Sequence, residues 1–259
     1  MQPPEKEEAN SVADLATWSP IIDFRQYTLY PGTRDAFIEL FDKELVETQE
    51  AAGMRVIGQF RDLGDPNRFV WIRGFPDMPS RKNALVSFYE HSATWKTFSD
   101  RARSMMIDST DALLLRPARE GSGFTLPPPA ARPLLESAIP AGLIVAMLFQ
   151  LPAAADEALH DFFDRSVTPI LVEAGASTLG SLVTEHSPNN YPRLALREGE
   201  NVLATVLGFR DLTAYHTYLT ALGRDGRWRT DAYPALVARI NGRPQILRLG
   251  PTSRSQLRP

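Results

Sequence analysis

Ile21-Ile22-Asp23-Phe24-Arg25-Gln26-Tyr27-Thr28-Leu29-Tyr30-Pro31-Gly32-Thr33 is the stretch on which the reading of the fold turns. β-Branched and aromatic residues interleave with charged and polar ones from Ile21 to Tyr30, the pattern of a strand. Pro31 and Gly32 stop that strand, and Thr33 is placed to cap a helix. Phe37, Leu40, Phe41 and Leu45 then follow at helical spacing on one apolar face. Gly53 stands where a helix-terminating glycine belongs. Beyond it, Met54 to Arg61 reads as a second strand, Gly64-Asp65-Pro66-Asn67 as a turn, and Arg68 to Phe75 as a third strand. A helical region runs from Ser80 to about Met105 with a break near His91-Ser92, and Asp111 to Arg116 forms the last strand. The order is βαββαβ, the split unit of ferredoxin-like folds.

Farther along, the same order returns. Leu143 to Leu151 is a strand, a helix runs to Glu173, and Gly175 precedes a strand from Ser177 to Glu185. A strand from Asn201 to Phe209, helices from about Thr213 and a strand from Gln245 to Leu249 complete it. Gly53 and Gly58 match Gly175 and Gly180, both 122 residues on. Asn67, Gly74, Phe75, Asp77 and Pro117 match Asn201, Gly208, Phe209, Asp211 and Pro251, all 134 residues on. The offset grows by 12 because the loop His186 to Glu200 is longer than its counterpart. Agreement at one offset in one element order marks an internal repeat. The expected fold class is therefore α+β: two tandem ferredoxin-like βαββαβ domains whose sheets pack face to face within one chain. Residues 1–20 read as a disordered lead, 21–117 and 141–251 as the two domains, 118–140 as a Pro-rich linker, and 252–259 as a loose polar tail.

The chain has 259 residues, 43% hydrophobic and 23% charged, an ordinary globular mixture. Its net charge of −3 provides no basic field for a phosphate backbone, so nucleic acid is not an expected partner. With no cysteine, disulfides, thiolate metal sites and a cysteine nucleophile are all excluded. The acidic, proline-containing start is unlike a secretory leader. Ala138 to Ala155 carries no charge, but Pro140 and Pro152 bracket it, so it reads as a buried strand and not as a membrane span. These features lead us to expect a cytoplasmic protein.

Particular motifs of the first half resemble the NIPSNAP family of the dimeric α/β-barrel superfamily. Phe24-Arg25-Gln26-Tyr27-Thr28-Leu29-Tyr30-Pro31-Gly32 is similar to its opening strand and turn. Gly74-Phe75-Pro76-Asp77-Met78-Pro79-Ser80-Arg81 is similar to its strand-to-helix passage. Phe88-Tyr89, Trp95-Lys96, Asp108-Ser109-Thr110-Asp111 and Leu113-Leu114-Leu115-Arg116-Pro117 fit the same pattern. The resemblance implies four-stranded sheets that close a barrel, which single-copy relatives achieve by dimerising. Aligning Pro31 with Pro152 sets Ala146 at the place of Arg25 and Leu148 at that of Tyr27, so the second half reads as a degenerate copy kept for architecture.

Strand alternation groups Asp23, Arg25 and Tyr27 on one face, and Phe69, Trp71, Arg73 and Phe75 on another. Arg25, Tyr27, Gln59, Trp71 and Arg73, joined by His91 or Trp95, form the candidate ligand site. Its aromatic walls and cationic donors suit an apolar ligand with an anionic or carbonyl end. Arg25 is expected to face the space between the sheets, with Phe24 toward the helices. The competing account is ion pairing with Asp23, Asp62 or Asp65 and ordinary aromatic packing. His91 is the candidate ligand should haem bind; no cofactor or metal site is otherwise expected, and the chain has no dinucleotide loop or nucleophile elbow. His160 and Asp164 read as a solvated helix face. The leading functional reading is a NIPSNAP-type protein that binds a small apolar or aromatic ligand in an inter-sheet cavity, with no assigned chemistry. The alternatives are a cofactor-independent oxygenase or isomerase, in which Arg25 and Tyr27 would work, and a protein-interaction adaptor. A homo-oligomer is compatible with all three.

Overall fold

The structure, a computed structural model, describes residues 19–128 and 131–259, so all but the end of the N-terminal lead lies outside the described residues. Strands β1 (Ile21–Leu29), β2 (Arg55–Asp62), β3 (Arg68–Phe75) and β4 (Met106–Pro117) belong to the first half. Helices α1 (34–51), α2 (78–91) and α3 (Ala93–Ser104) accompany them. The second half supplies β5 (Leu143–Leu151), β6 (Ser177–Thr184), β7 (Asn201–Phe209) and β8 (Gln245–Pro251), with α4 (157–173), α5 (Leu212–Arg224) and α6 (228–237). The uncharged stretch around Met147 is thus the strand β5.

All eight strands join one closed antiparallel barrel in the order β1-β3-β2-β8-β5-β7-β6-β4. The halves meet through short ladders: β2 with β8 at Phe60 to Asp62, and β4 with β6 at Leu115 to Pro117. The inner faces of the two four-stranded sheets share the barrel interior, and their edges hydrogen-bond, leaving no exposed edge at either seam. Side chains from both halves fill the interior, among them Ile22, Phe24, Phe60, Ile72, Ala146, Leu148, Val206 and Leu249. An eight-stranded barrel has an interior just wide enough for such a filling. Outside it lie two further apolar layers, one under α1–α3 and one under α4–α6.

Strand registers relate the halves residue by residue. Ile21 faces Phe75 in the first half and Leu143 faces Phe209 in the second; Arg25 faces Trp71, and Met147 faces Thr205. The residue in the place of Arg25 is therefore Met147, not Ala146, and that of Tyr27 is Phe149, not Leu148. Matching the prolines slipped the alignment by one position, and a one-residue slip exchanges the two faces of a strand. Ala146 and Leu148 point into the barrel, as their counterparts Phe24 and Gln26 do. Gln26 reaches Gln245 across the interior, the two amides exchanging hydrogen bonds of 3.0 and 3.3 Å.

Helices α1 and α4 each contain one π-helical turn, Phe41–Leu45 and Phe163–Val167, at matching positions. Pro169 opens the α-helical segment after the second of these turns. The first helix has the same turn without a proline, so the packing of this helix on the sheet accounts for it better than the missing N–H does.

The tail is not loose. Thr252, Ser255 and Leu257 are buried, and the backbone N–H groups of Thr252 and Leu257 donate to the carbonyls of Gln59 and Ile57, both at 2.9 Å. Arg254 pairs with Glu47. The linker is fastened too: Phe124 and Leu126 enter the barrel core, and Arg132 bonds to the Val56 and Arg254 carbonyls and to Glu50. Tail and linker thus cover the end of β2, where Gly58 marks a bulge. A Cβ there would lie 2.3 Å from the Phe60 ring, so only glycine fits.

A buried arginine cluster as the candidate functional site

On β1, alternation sends Ile22, Phe24 and Gln26 into the barrel and Asp23, Arg25 and Tyr27 outward beneath the helices. The expectation for Arg25 is thus half corrected. It is buried, at 1% exposure, beside Tyr27, but between sheet and helices and not between sheets. Packing explains the reversal. The barrel interior is closed by apolar side chains from both halves, whereas the helix side offers hydroxyls, carbonyls and a carboxylate to a guanidinium. Trp71, Arg73 and Phe75 on β3 share this layer, because each is in register with an outward residue of β1.

Asp23 is the centre of the cluster. Arg73 donates to its Oδ2 from Nε (3.0 Å) and Nη2 (2.9 Å), and Arg81 donates to its Oδ1 from Nε (3.0 Å). Arg25 Nη1 stands 3.9 Å from the same carboxylate. Burial would raise the Asp23 pKa, but Arg73, Arg81 and Arg25 outweigh it and hold the carboxyl at about 2. Burial likewise works against the charge on Arg73, yet the Tyr89 hydroxyl and Asp23 keep its pKa above the ordinary arginine value. Arg73 Nη1 donates to Tyr89 Oη at 3.2 Å, and its guanidinium lies 4.8 Å from the Trp71 ring. Arg25 donates from Nε to Tyr27 Oη (3.2 Å) and from Nη2 to the Ser109 carbonyl (3.0 Å).

Arg81 reaches the cluster through helix geometry. The Asp77 side chain accepts from Ser80 N at 2.6 Å and so caps α2, which sets Arg81 one turn in and pointing back at the sheet. Three arginines consequently surround a single carboxylate, all four side chains at 0–1% exposure. Arg25 Nη1, Arg81 Nη2 and Trp71 Nε1 are buried there with no hydrogen-bond partner.

The other expected residues divide. Gln59 is in register with Trp71 and buried, but its amide turns away to donate to Asp42 Oδ1 at 3.2 Å. Trp95 stands one layer back, packed on Phe88 and Tyr89 with ring centroids 5.3 and 5.0 Å away. His91 is exposed at the end of α2, outside the cluster. His160 is buried instead of lying on a solvated face. Five participants were not named as site residues in the sequence: Asp23, which entered only as an ion-pairing partner, and Arg81, Tyr89, Asn190 and Tyr191. Arg81 carries a readable signal in its place four residues after a capping aspartate. Asn190 and Tyr191 sit in the loop whose extra 12 residues were visible as a change of offset.

Among the described residues no helix is long and apolar enough to cross a membrane, and no group of three or more His, Asp or Glu side chains is arranged to hold a metal ion.

A NIPSNAP family model matches residues 22–120. An anthrone oxidase-like protein of solved structure shares the fold over 92% of this chain and 95% of its own, at TM-score 0.57 and 12% identity. A candidate monooxygenase from Lactobacillus acidophilus NCFM does so over 90% and 94%, at TM-score 0.54 and 12% identity. A NIPSNAP family protein from Agrobacterium tumefaciens C58 aligns over 38% of this chain and 92% of its own, at 19% identity and TM-score 0.35. No curated protein is significantly similar to the chain. Residues 22–120 thus match the NIPSNAP family, and over that stretch the chain carries a NIPSNAP domain.

Proposed function

We propose that the first half binds a small aromatic or apolar molecule through an anionic or carbonyl end, in the layer between its sheet and its helices. One observation carries this reading. Three buried arginines share one carboxylate, and Arg25 Nη1, Arg81 Nη2 and Trp71 Nε1 point donors into the same layer without acceptors. Unpaired buried donors cost about 1–3 kcal/mol each, more when charged, and most native proteins avoid them. An anion on these donors would offset that cost, and the rings of Tyr27, Trp71 and Tyr89 already lie beside the arginines.

We further infer that the two halves are tandem ferredoxin-like units, supported by their common element order and strand registers, and that the protein is cytoplasmic. A cofactor-independent oxygenase or isomerase remains the alternative, supported by a fold shared with an anthrone oxidase-like protein. It ranks second because the cluster has no evident base at neutral pH. Asp23 is ionised with both oxygens engaged, and burial pushes the Tyr89 hydroxyl upward.

Native mass spectrometry of protein purified from its own host tests the binding reading. The expected result is a bound small molecule in the wild type that is lost in Arg25→Met, the substitution that copies Met147. Unchanged ligand content and stability in Arg25→Met sink it.

A further inference from the structure

The cluster belongs to the first half, but part of its wall does not. Loop 186–200, which joins β6 to β7, crosses onto α2 and ends inside the first half's apolar layer, where Tyr191 is 5% exposed. Asn190 Oδ1 accepts from Arg81 Nη1 at 2.8 Å, and Asn190 Nδ2 donates to the Met78 carbonyl at 2.6 Å. The Tyr191 ring stacks on Tyr89, centroids 6.1 Å apart and planes 23° from parallel, and its hydroxyl donates to Glu90 at 3.2 Å. Tyr89 in turn accepts from Arg73. The loop is pinned at its far end, where Arg197 N donates to the Ala112 carbonyl (2.8 Å) and Arg197 Nη1 to Asp111 (3.0 Å). Between pin and cap lies a cleft of about 290 Å³, lined by Leu114 of β4 and by Pro188, Leu196 and Glu198 of the loop. Leu114 is the neighbour of Asp23 across the β1–β4 ladder, so the cleft borders the cluster.

Resting on the binding reading above, we propose that the site is composite. Asn190 and Tyr191 of the second half are its specificity-determining residues, and the ligand class they select is an aromatic carboxylate. The carboxylate takes the free donors of Arg25 and Arg81, which supply planar, charge-assisted recognition. The aromatic ring lies against the Tyr89–Tyr191 pair, where offset stacking rewards a flat apolar body. Asn190 holds Arg81 from the side away from Asp23 and so sets the direction of its remaining donor. Because the cluster is fully covered, the ligand enters as loop 186–200 lifts, with the cleft beneath it as the approach. The first half's own β2–β3 turn is 12 residues shorter, which explains why the long loop must come from the other half.

The test is calorimetry with 2-naphthoate on wild type, Arg25→Met, Asn190→Ala, Tyr191→Leu and Tyr191→Phe, joined to hydrogen exchange of the wild type with and without the probe. Wild type is expected to bind, Asn190→Ala and Tyr191→Leu to bind about tenfold more weakly, and Tyr191→Phe, which keeps the ring, to bind more tightly than Tyr191→Leu. Amides of 186–200 are expected to gain protection when 2-naphthoate is present. If wild type binds and Arg25→Met does not, while Asn190→Ala and Tyr191→Leu bind as wild type and loop exchange is unchanged, the composite site is wrong and the binding reading stands. If wild type takes up no 2-naphthoate at millimolar concentration, the proposed ligand class fails as well. The exchange arm needs no variant, so a misfolded Tyr191→Leu does not blunt the test.

Discussion

The layer beneath α1–α3 and the layer beneath α4–α6 are built on equivalent strand positions, yet one is charged and the other dry. Asp23, Arg25, Tyr27, Arg73 and Arg81 stand where the second half has Val145, Met147, Phe149, Leu207 and Tyr215. Val145, Phe149, Leu207 and Tyr215 pack into an ordinary apolar core with Met147 at its border. The same sheet and helices therefore form without the arginine cluster, and apolar residues at these positions are the less costly solution. Burying ions exacts a desolvation penalty that their attraction repays only with good geometry. A charged layer kept beside a dry twin points to a use for the charge beyond folding.

The strongest way to break this comparison is to remove the centre of the cluster. Asp23→Val leaves three buried guanidinium groups without their shared carboxylate, and the denaturant midpoint should fall by an amount worth about 3–5 kcal/mol. Copying the second half throughout, with Asp23→Val, Arg25→Met, Arg73→Leu and Arg81→Tyr together, should restore or exceed wild-type stability while abolishing ligand uptake. A fourfold variant no more stable than Asp23→Val alone would show that the charges serve the fold and not a ligand.

Asp42 sharpens the contrast by its titration. It is buried in the π-helical turn of α1, whereas Asp164, its equivalent in α4, is exposed and pairs with Arg119 at 3.6 Å. Burial raises the Asp42 carboxyl to about 6. A folded pKa above the unfolded value means a contribution that is fully present below about pH 4 and is lost as pH rises through 6. Asp42→Asn should accordingly stabilise the protein at pH 7.5 by on the order of 2–3 kcal/mol and change little at pH 4. Asp164→Asn should do neither, as read by thermal unfolding at the two pH values.

Asp23 has the opposite sign. Its folded pKa of about 2 lies below the ordinary aspartate value of 3.8, so its contribution is present above pH 4 and lost as pH falls toward 2. Acid titration of stability should show a loss on the order of 2 kcal/mol across that window, and the fourfold variant should not show it. The smallest effect is expected from Tyr27→Phe, which copies Phe149. It removes the hydroxyl that accepts from Arg25 Nε, at a cost of about 1–2 kcal/mol in urea unfolding, while the ring contacts persist. The reciprocal Phe149→Tyr has no such partner and should give no gain.

Element order, both four-strand units and the pairing of Asp23, Arg25 and Tyr27 on one face were legible from residue patterns, because alternation and helical spacing are local properties of the chain. So was the identity of the charged half, since its motifs are contiguous. Which side of the sheet would face the helices was not legible. Phe24 and Arg25 alternate equally well either way, and the choice rests on a closed barrel whose interior is filled by residues more than a hundred positions distant. The one-residue slip between Ala146 and Met147 has the same origin: turn prolines mark where a strand ends, but the ladder with β7 sets its register. Burial of the polar tail and the reach of Asn190 and Tyr191 into the other half also belong to the tertiary structure. Thr252, Ser255 and Arg254 look like solvent-facing residues until the β2 backbone and Glu47 supply their partners. The sequence by itself determined which elements form and which half carries charge. Only the tertiary structure decided where that charge lies, because a buried ion goes where three-dimensional packing brings its acceptors.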